Sequence, residues 1–445
     1  MADTSSGNGN GLGRRLGVFF AAVYFVQGIG EPGAGIASQP IFFLLKDELH
    51  LSAAQTAAFL AIISIAWGIK PLYGLLSDFF PLFGYRRKSY LLLMTSLAAA
   101  CWLALGVQSS RAYLAILVPL LLCGLGLAFS DVLCDAVMVE TGKPLGLTGR
   151  FQAIQWGAIN TASVLAGLGG GWLSQHASYQ WTFRLVALFP LISLTATILY
   201  VREPRVRFER KQIRETMSAV RAAVGSPPLW TAAGFIFLWN FSPSFGTPLE
   251  YYEVDTLGFS KIFLGTLYSL GSAGAIVGAA IFSRLSGRLR MRRLLALSVG
   301  IGVVSTLAYL GLVGSRSAIF LTIVTGVITM IASLATFDLA ARSCPTRAEG
   351  TFFAALMALA NLGTAGGNFV GGWLYEAIGL APLILISALA TAACWAIIPL
   401  VRIDGPEAIQ KLNQVKPKHV AQTPQAGEEE RNSQPRTNSS PLDDH

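Results

Sequence analysis

Charge is what this chain has least of. Of its 445 residues only 13% are Asp, Glu, Lys or Arg, while 53% are hydrophobic. A soluble domain carries about 25% charged residues, so an ordinary water-facing surface is excluded. Histidine is scarce: His50, His176, His419 and His445 stand apart, and no metal-ligand spacing arises. The five cysteines (Cys101, Cys123, Cys134, Cys344 and Cys394) lie singly in or beside apolar stretches. Small buried hydrophobes are placed that way, and a disulfide framework is not. There is no G-x-S-x-G elbow, no H-E-x-x-H and no phosphate loop, which removes the common hydrolase, zinc-protease and ATP-driven classes. No enzyme, cofactor or metal is expected.

What remains is apolar and long. Runs of about 20 apolar residues, enough to cross a bilayer, recur along the chain, and the mean hydropathy is +0.55. The fold class is therefore all-α, a polytopic membrane protein. Twelve transmembrane helices are expected, the first six at 16–44, 52–76, 89–107, 112–138, 151–173 and 181–201. The other six lie at 229–254, 261–285, 292–312, 317–341, 349–374 and 380–401. The chain then divides into a tail (1–15), a six-helix bundle (16–201), a charged connector (202–228), a second bundle (229–402) and a tail (403–445). That last stretch is polar and rich in Pro, Gln, Asn and Ser, and is expected to be disordered. Arg14 and Arg15 precede the first apolar run with no cleavage site after a short apolar core, so that run is expected to stay as a span.

A net charge of +9 would point to nucleic acid in a soluble protein. Here the cations fall in alternate loops. With a cytoplasmic N-terminus, 27 of the 33 Lys and Arg lie on the cytoplasmic side; Lys46, Arg111, Arg184, Lys261 and Arg316 lie outside, and Lys70 lies within a span. The positive-inside bias thus puts both termini in the cytoplasm, with an inner (plasma) membrane as the expected location and no nucleic-acid partner.

The chain repeats itself at an offset of 201 residues. Pro144 meets Pro345, Gly149 meets Gly350, Phe151 meets Phe352 and Asn160 meets Asn361; Gly170-Gly171-Trp172-Leu173 meets Gly371-Gly372-Trp373-Leu374. An even number of spans per repeat leaves the halves in one orientation, the parallel-repeat pattern of the major facilitator fold. The opening helices of both halves are interrupted, at Pro32 and Pro40 in one and Pro243 and Pro248 in the other. Paired interruptions point to a cavity near the midplane; the plainer reading is a kinked helix packed on its neighbours.

Ionisable side chains inside spans are costly and mark function by default. Glu31, Lys70, Asp131, Asp135 and Arg184 are the candidates for a substrate or proton pathway. Asp131 and Asp135, four residues apart, share one helix face. A structural ion pair between Lys70 and either aspartate is the competing reading. Asp338 and Arg342 read as a structural pair, and Glu250 and Glu253 as a solvated rim. Trp67, Trp156 and Trp239 are candidates for stacking on a planar ligand. In the loop after the second helix, Gly74, Asp78, Gly84, Arg86, Arg87 and Lys88 read as a gating latch. There Gly74 would allow close helix approach, and Asp78 would cap a helix N-terminus of the other half. The cations would pair with that aspartate and with anionic lipid headgroups.

At these residues the chain resembles the folate–biopterin transporter family, a branch of the major facilitator superfamily. The resemblance rests on Tyr24-Phe-Val-Gln-Gly28, Phe43-Leu-Leu-Lys-Asp-Glu-Leu49, Lys70-Pro-Leu-Tyr-Gly-Leu-Leu-Ser-Asp78 and Gly84-Tyr-Arg-Arg-Lys-Ser-Tyr90. It continues in Ser130-Asp-Val-Leu-Cys-Asp135 with Glu140, Leu257-Gly-Phe-Ser260 and Leu339-Ala-Ala-Arg342, and spans most of 16–400. It implies a monomeric secondary carrier of pterin-type solutes, coupled to protons and working by alternating access. Asp131, Asp135 or Glu31 would take the pterin N–H groups, and Lys70 or Arg184 the carboxylates of folate. Gly30–Gly35 and Gln39-Pro40 depart from the family's usual first helix, which leaves the substrate open. The alternatives are the same fold carrying a peptide fragment, a siderophore-like chelate or a metal-related anion, and a non-transporting membrane receptor or scaffold.

Overall fold

A computed structural model describes residues 6–206, 227–285, 291–344 and 349–400. Most of the connector, the basic loop 286–290 and the tail expected to be disordered lie outside the described residues. The rest is helical. The first half runs α1 (Ser6–Gly30), α2 (Ser38–Phe43, prolonged by a π-turn, Leu44–Glu48), α3 (Ala53–Gly68), α4 (Lys70–Phe79), α5 (Lys88–Val107), α6 (Tyr113–Leu145), α7 (Thr148–His176), α8 (Tyr179–Val186) and α9 (Leu188–Tyr200). The second runs α10 (Pro227–Phe241), α11 (Gly246–Asp255), α12 (Lys261–Leu285), α13 (Met291–Ala308), α14 (Ser315–Ser343), α15 (Glu349–Ile378) and α16 (Leu380–Ala393). Joined across their breaks, these make twelve spans. Ten have the length and apolarity to cross a membrane outright. The fifth (α7) is too polar, and the seventh (α10 with α11) is split into pieces that are too short.

Local chemistry sets the ends. Ser52 and Gln55 form a capping box at the start of α3, with bonds of 3.3 and 3.0 Å. Gly146, at φ 64°, closes α6 in a left-handed turn that favours glycine. Pro71 lies in the first turn of α4, so the second span restarts there and places Lys70 at a break. Pro32 and Pro243 do lie in breaks, but Pro40 and Pro248 sit in the first turns of α2 and α11. A missing N–H costs nothing in a first turn, so these two prolines begin helices instead of interrupting them.

Each half has its own core. Phe19, Phe20, Tyr24, Phe129 and Phe151 pack in the first, and Phe235, Ile236, Leu294, Leu295 and Leu339 in the second. The halves meet where glycine lets backbones touch. On one side α7 crosses α12, where a Cβ at Gly265 would stand 2.7 Å from the Gly171 Cα. On the other α15 crosses α3, where a Cβ at Gly372 would stand 2.7 Å from the Ala57 Cβ. Helix α7 starts at 148 and α15 at 349, the 201-residue offset of the repeat. The two crossings are therefore one contact seen twice, related by an axis along the membrane normal. Gly265→Ala is expected to destabilise the purified protein by about 1–3 kcal/mol through overpacking, read as a lower thermal midpoint. Gly234→Ala, which meets nothing within 4 Å, should leave the midpoint unchanged or raise it.

Candidate functional site

A polar string runs through the first half at the break between α3 and α4. Lys70, the first residue of α4, reaches Asp131 Oδ2 on α6 at 2.5 Å. Its Nζ also lies 4.4 Å from the ring centre of Trp67. With its amide turned so that both ends meet a partner, Gln27 of α1 donates to Asp131 Oδ1 at 2.8 Å. Asp131 is only 7% exposed, and a carboxylate so deep needs this compensation. One turn along α6, Asp135 Oδ1 accepts from the Tyr24 hydroxyl at 2.5 Å and from Gln155 Nε2 at 3.3 Å. Both donors are neutral. Two carboxylates thus face one ammonium, and the group carries a surplus negative charge when all three are ionised.

Glu31 stands at the break of the first span. Its carboxylate meets the backbone amides of Gly33 and Ala34 and the side chain of Trp67. The break itself is held by Trp102 Nε1, which donates to Gly30 O at 3.1 Å, and by Ile36 N donating to Ile29 O at 2.9 Å. Two links reach the second half from here. Tyr268 of α12 donates its hydroxyl to Ala34 O at 2.9 Å, and Asn361 of α15 donates to Trp67 O at 3.1 Å. Trp67 thus ties Lys70, Glu31 and the seam together.

Other candidates lie elsewhere. Arg184, on α8, donates Nε to Gly106 O at 2.8 Å, joining the sixth span to the third, and takes no part in the polar string. Trp239 packs nearly parallel to Phe235, 6.3 Å away, within the second half's own core, so it is not a stacking face. Trp156 is 40% exposed and lies 6.3 Å from Phe337 of the other half. Glu253 is buried and no rim residue, whereas Glu250 is exposed. Asp338 accepts from Arg342 through both oxygens, at 2.8 and 2.9 Å.

The loop after α4 closes on its own half. Arg87 donates to Asp78 at 2.5 Å, to Glu140 at 2.9 Å and to Ser77 at 2.7 Å. Burial works against its charge, but Asp78 and Glu140 outweigh it and raise the guanidinium's proton affinity above the ordinary value. Glu203 accepts from the amides of Arg86, Arg87 and Lys88 at the N-terminus of α5, with distances of 2.8, 3.0 and 2.9 Å. Lys88 Nζ donates to Val201 O at 2.9 Å. Among the described residues Asp78 caps no helix of the second half, and Arg87 holds it instead. Gly74 is not a close approach either: a Cβ there would meet Val132 at an ordinary 3.7 Å. Gly84 does need to be glycine, at φ 84° in the turn.

Tyr24, Gln27, Gln155, Tyr268 and Asn361 are polar, uncharged and easily passed over in a sequence. Two signals were available: Tyr24 and Gln27 bound the motif Tyr24–Gly28, and Asn361 is one of the positions repeated between the halves.

Two like-oriented six-span bundles, a polar string in the span and glycine-lined crossings define a multi-pass membrane transporter of the major facilitator fold. Solved structures agree: a nucleoside transporter, NupG, superposes with a TM-score of 0.69 at 13% identity, covering 87% of this chain and 100% of that one. A D-xylose–proton symporter follows at 0.64 and 14%, covering 87% and 98%. The chain belongs to the BT1 family, which matches residues 27–402. It is 31% identical over 415 residues to the folate-biopterin transporter of Synechocystis sp., covering 88% of this chain and 82% of that protein. It is 23% identical to folate transporter 2 of Plasmodium falciparum, with 78% of each chain covered. The family and these relatives are transporters, not enzymes.

Lys70→Ala strands Asp131 and is expected to cost about 3–5 kcal/mol. Adding Asp131→Ala should return most of that loss, as read by thermal midpoints of the single and double variants.

Proposed function

We propose that this protein carries a pterin-type solute across a membrane by alternating access, with Asp135 as the residue that engages it. The observation that carries this reading is the surplus carboxylate: Asp131 is satisfied by Lys70, while Asp135 holds only neutral donors. A pterin ring presents adjacent amino and ring N–H groups, which a carboxylate takes in bidentate fashion. Trp156, 40% exposed, offers a face for stacking on such a ring, while one face of Trp67 is covered by Lys70. The relatives named for folate and biopterin support this class of solute. Between pterin and folate, the head group alone fits better. The acidic tail of folate would need cations, and Arg184 is held at Gly106 while Lys70 is held by Asp131.

The same charge count gives a reason for proton coupling. An uncompensated carboxylate within a span is expensive, so Asp135 crosses either with a solute N–H bound or with a proton. In this reading both termini lie in the cytoplasm of a cell whose inner membrane holds the protein as a monomer. That orientation is supported by the 27 of 33 Lys and Arg that then fall on the cytoplasmic side. The cationic turn Arg86–Lys88 then lies beside anionic headgroups. The two bundles (16–201 and 229–402) act as the rocking units, with Asp338–Arg342 a structural pair in the second.

Vesicles reconstituted with the protein are expected to accumulate a radiolabelled pterin when a proton gradient is imposed, and Asp135→Asn should abolish accumulation. Uptake that is indifferent to Asp135→Asn would remove that residue from the mechanism. Uptake of folate but not of free pterin would reverse the preference between them.

A further inference from the structure

The motif Phe43–Leu49 takes no part in the polar string, yet it carries three consecutive charges on a π-turn, a local widening often found where a helix serves a function. Lys46 Nζ donates to both oxygens of Asp255, at 2.7 and 2.9 Å, and lies 4.7 Å from the ring centre of Tyr251. Lys261 Nζ donates to Asp47 at 2.8 Å and lies 4.0 Å from the ring centre of Phe43. Each half thus contributes one lysine, one aspartate and one aromatic ring. Each lysine crosses the seam to the other half's aspartate and ring. Four more bonds cross at the same end: Tyr251 to Leu51 O at 2.6 Å, the Tyr251 and Thr56 hydroxyls at 2.9 Å, Gln39 to Lys261 O at 2.5 Å, and Ala54 N to Glu376 at 2.8 Å. The last places a carboxylate of the second half at the N-terminus of α3.

We infer that Lys46, Asp47, Asp255 and Lys261 form a reciprocal charge clasp that gates the transport path at this end, holding the halves shut here and parting when the path opens. The inference rests on the alternating-access reading above. The side chains suit a contact that must break repeatedly. Lys46 and Lys261 retain 15% and 29% exposure, Asp255 and Asp47 51% and 43%. Water therefore reaches the partners as they separate, and no buried charge is stranded. The clasp is also joined to the polar string: α2, which leads into Phe43, Lys46 and Asp47, is hinged on the Glu31–Ala37 break where Tyr268 holds Ala34. Displacement at Glu31 therefore acts on the segment that carries half of the clasp.

The test uses Ser269→Cys as a reporter, since Ser269 is buried two turns below Lys261 at the crossing with α7. It is made in full-length protein with Cys344→Ser, reconstituted in vesicles, and its labelling by a membrane-impermeant maleimide is timed. Lys46→Asp alone, or Asp255→Lys alone, sets like charges face to face and should speed labelling about ten-fold. The double swap, Lys46→Asp with Asp255→Lys, should return the rate to within about two-fold of the parent. The swap at Asp47 and Lys261 repeats the test independently, and thermal midpoints confirm that each variant is folded. Parental rates in folded single reversals, or swaps that stay as fast as the singles, overturn the clasp. Labelling needs no solute, so a failure of pterin uptake would leave this result standing, and the reverse also holds.

Discussion

Inside a bilayer no water is present to complete a hydrogen bond or to solvate a charge, and the rest of this structure follows from that shortage. Where the chain leaves the helix in the first and seventh spans, neighbouring helices supply partners. Gly30 O is taken by Trp102 of the third span. At the break of the seventh span, Ser244 N donates to Gly367 O at 3.0 Å, Ser242 donates to Ser387 O at 3.0 Å, and Ser387 donates in turn to Pro243 O. The breaks are therefore joints with assigned partners, and they can exist only where the partner helices stand. The Lys70–Asp131 pair meets the same demand for charge. A lone charge within the span is costly, and each member supplies the other's partner.

Much of this was legible in the sequence because the bilayer imposes long periods and few exceptions. Ten of the spans follow from apolar length, and the two-fold relation follows from a 201-residue offset that survives in α7 and α15 as the very helices that make the seam. The site was legible only as a set of costly residues. Lys70, Asp131, Asp135 and Glu31 stand out because charge in a span is rare. Which of them pair depends on where Pro71 restarts the second span and on the crossing of α4 with α6, and neither is written in residue type. Arg184 and Trp239 show the converse. Both carry the right chemistry, but one is consumed by a helix-end carbonyl and the other by its own core. The latch misled for a related reason. Asp78 could cap a distant helix only if nothing nearer bound it, and Arg87, nine residues on, does so at 2.5 Å.

Symmetry separates what the frame does from what the site does. The seam obeys the two-fold relation: α7 on α12 answers α15 on α3. The clasp obeys it only in part: Phe43 and Asp47 are answered by Tyr251 and Asp255, but Lys261 opens α12 and so answers the start of α3, not Lys46. The polar string does not. At the 201-residue offset that pairs Pro144 with Pro345, Ala332 and Thr336 of α14 stand where Asp131 and Asp135 stand in the first half. The string's own charges therefore come from the first half, and the second half meets it with Asn361 and Tyr268; Glu250 and Glu253 of α11 add carboxylates on the second half's side. The ion pairs are distributed unevenly as well. At the clasp end Lys46–Asp255 and Lys261–Asp47 run between the halves, while Arg111–Glu48 stays within the first. At the other end Arg87, Asp78 and Glu140 stay within the first half, so movement there need not break them.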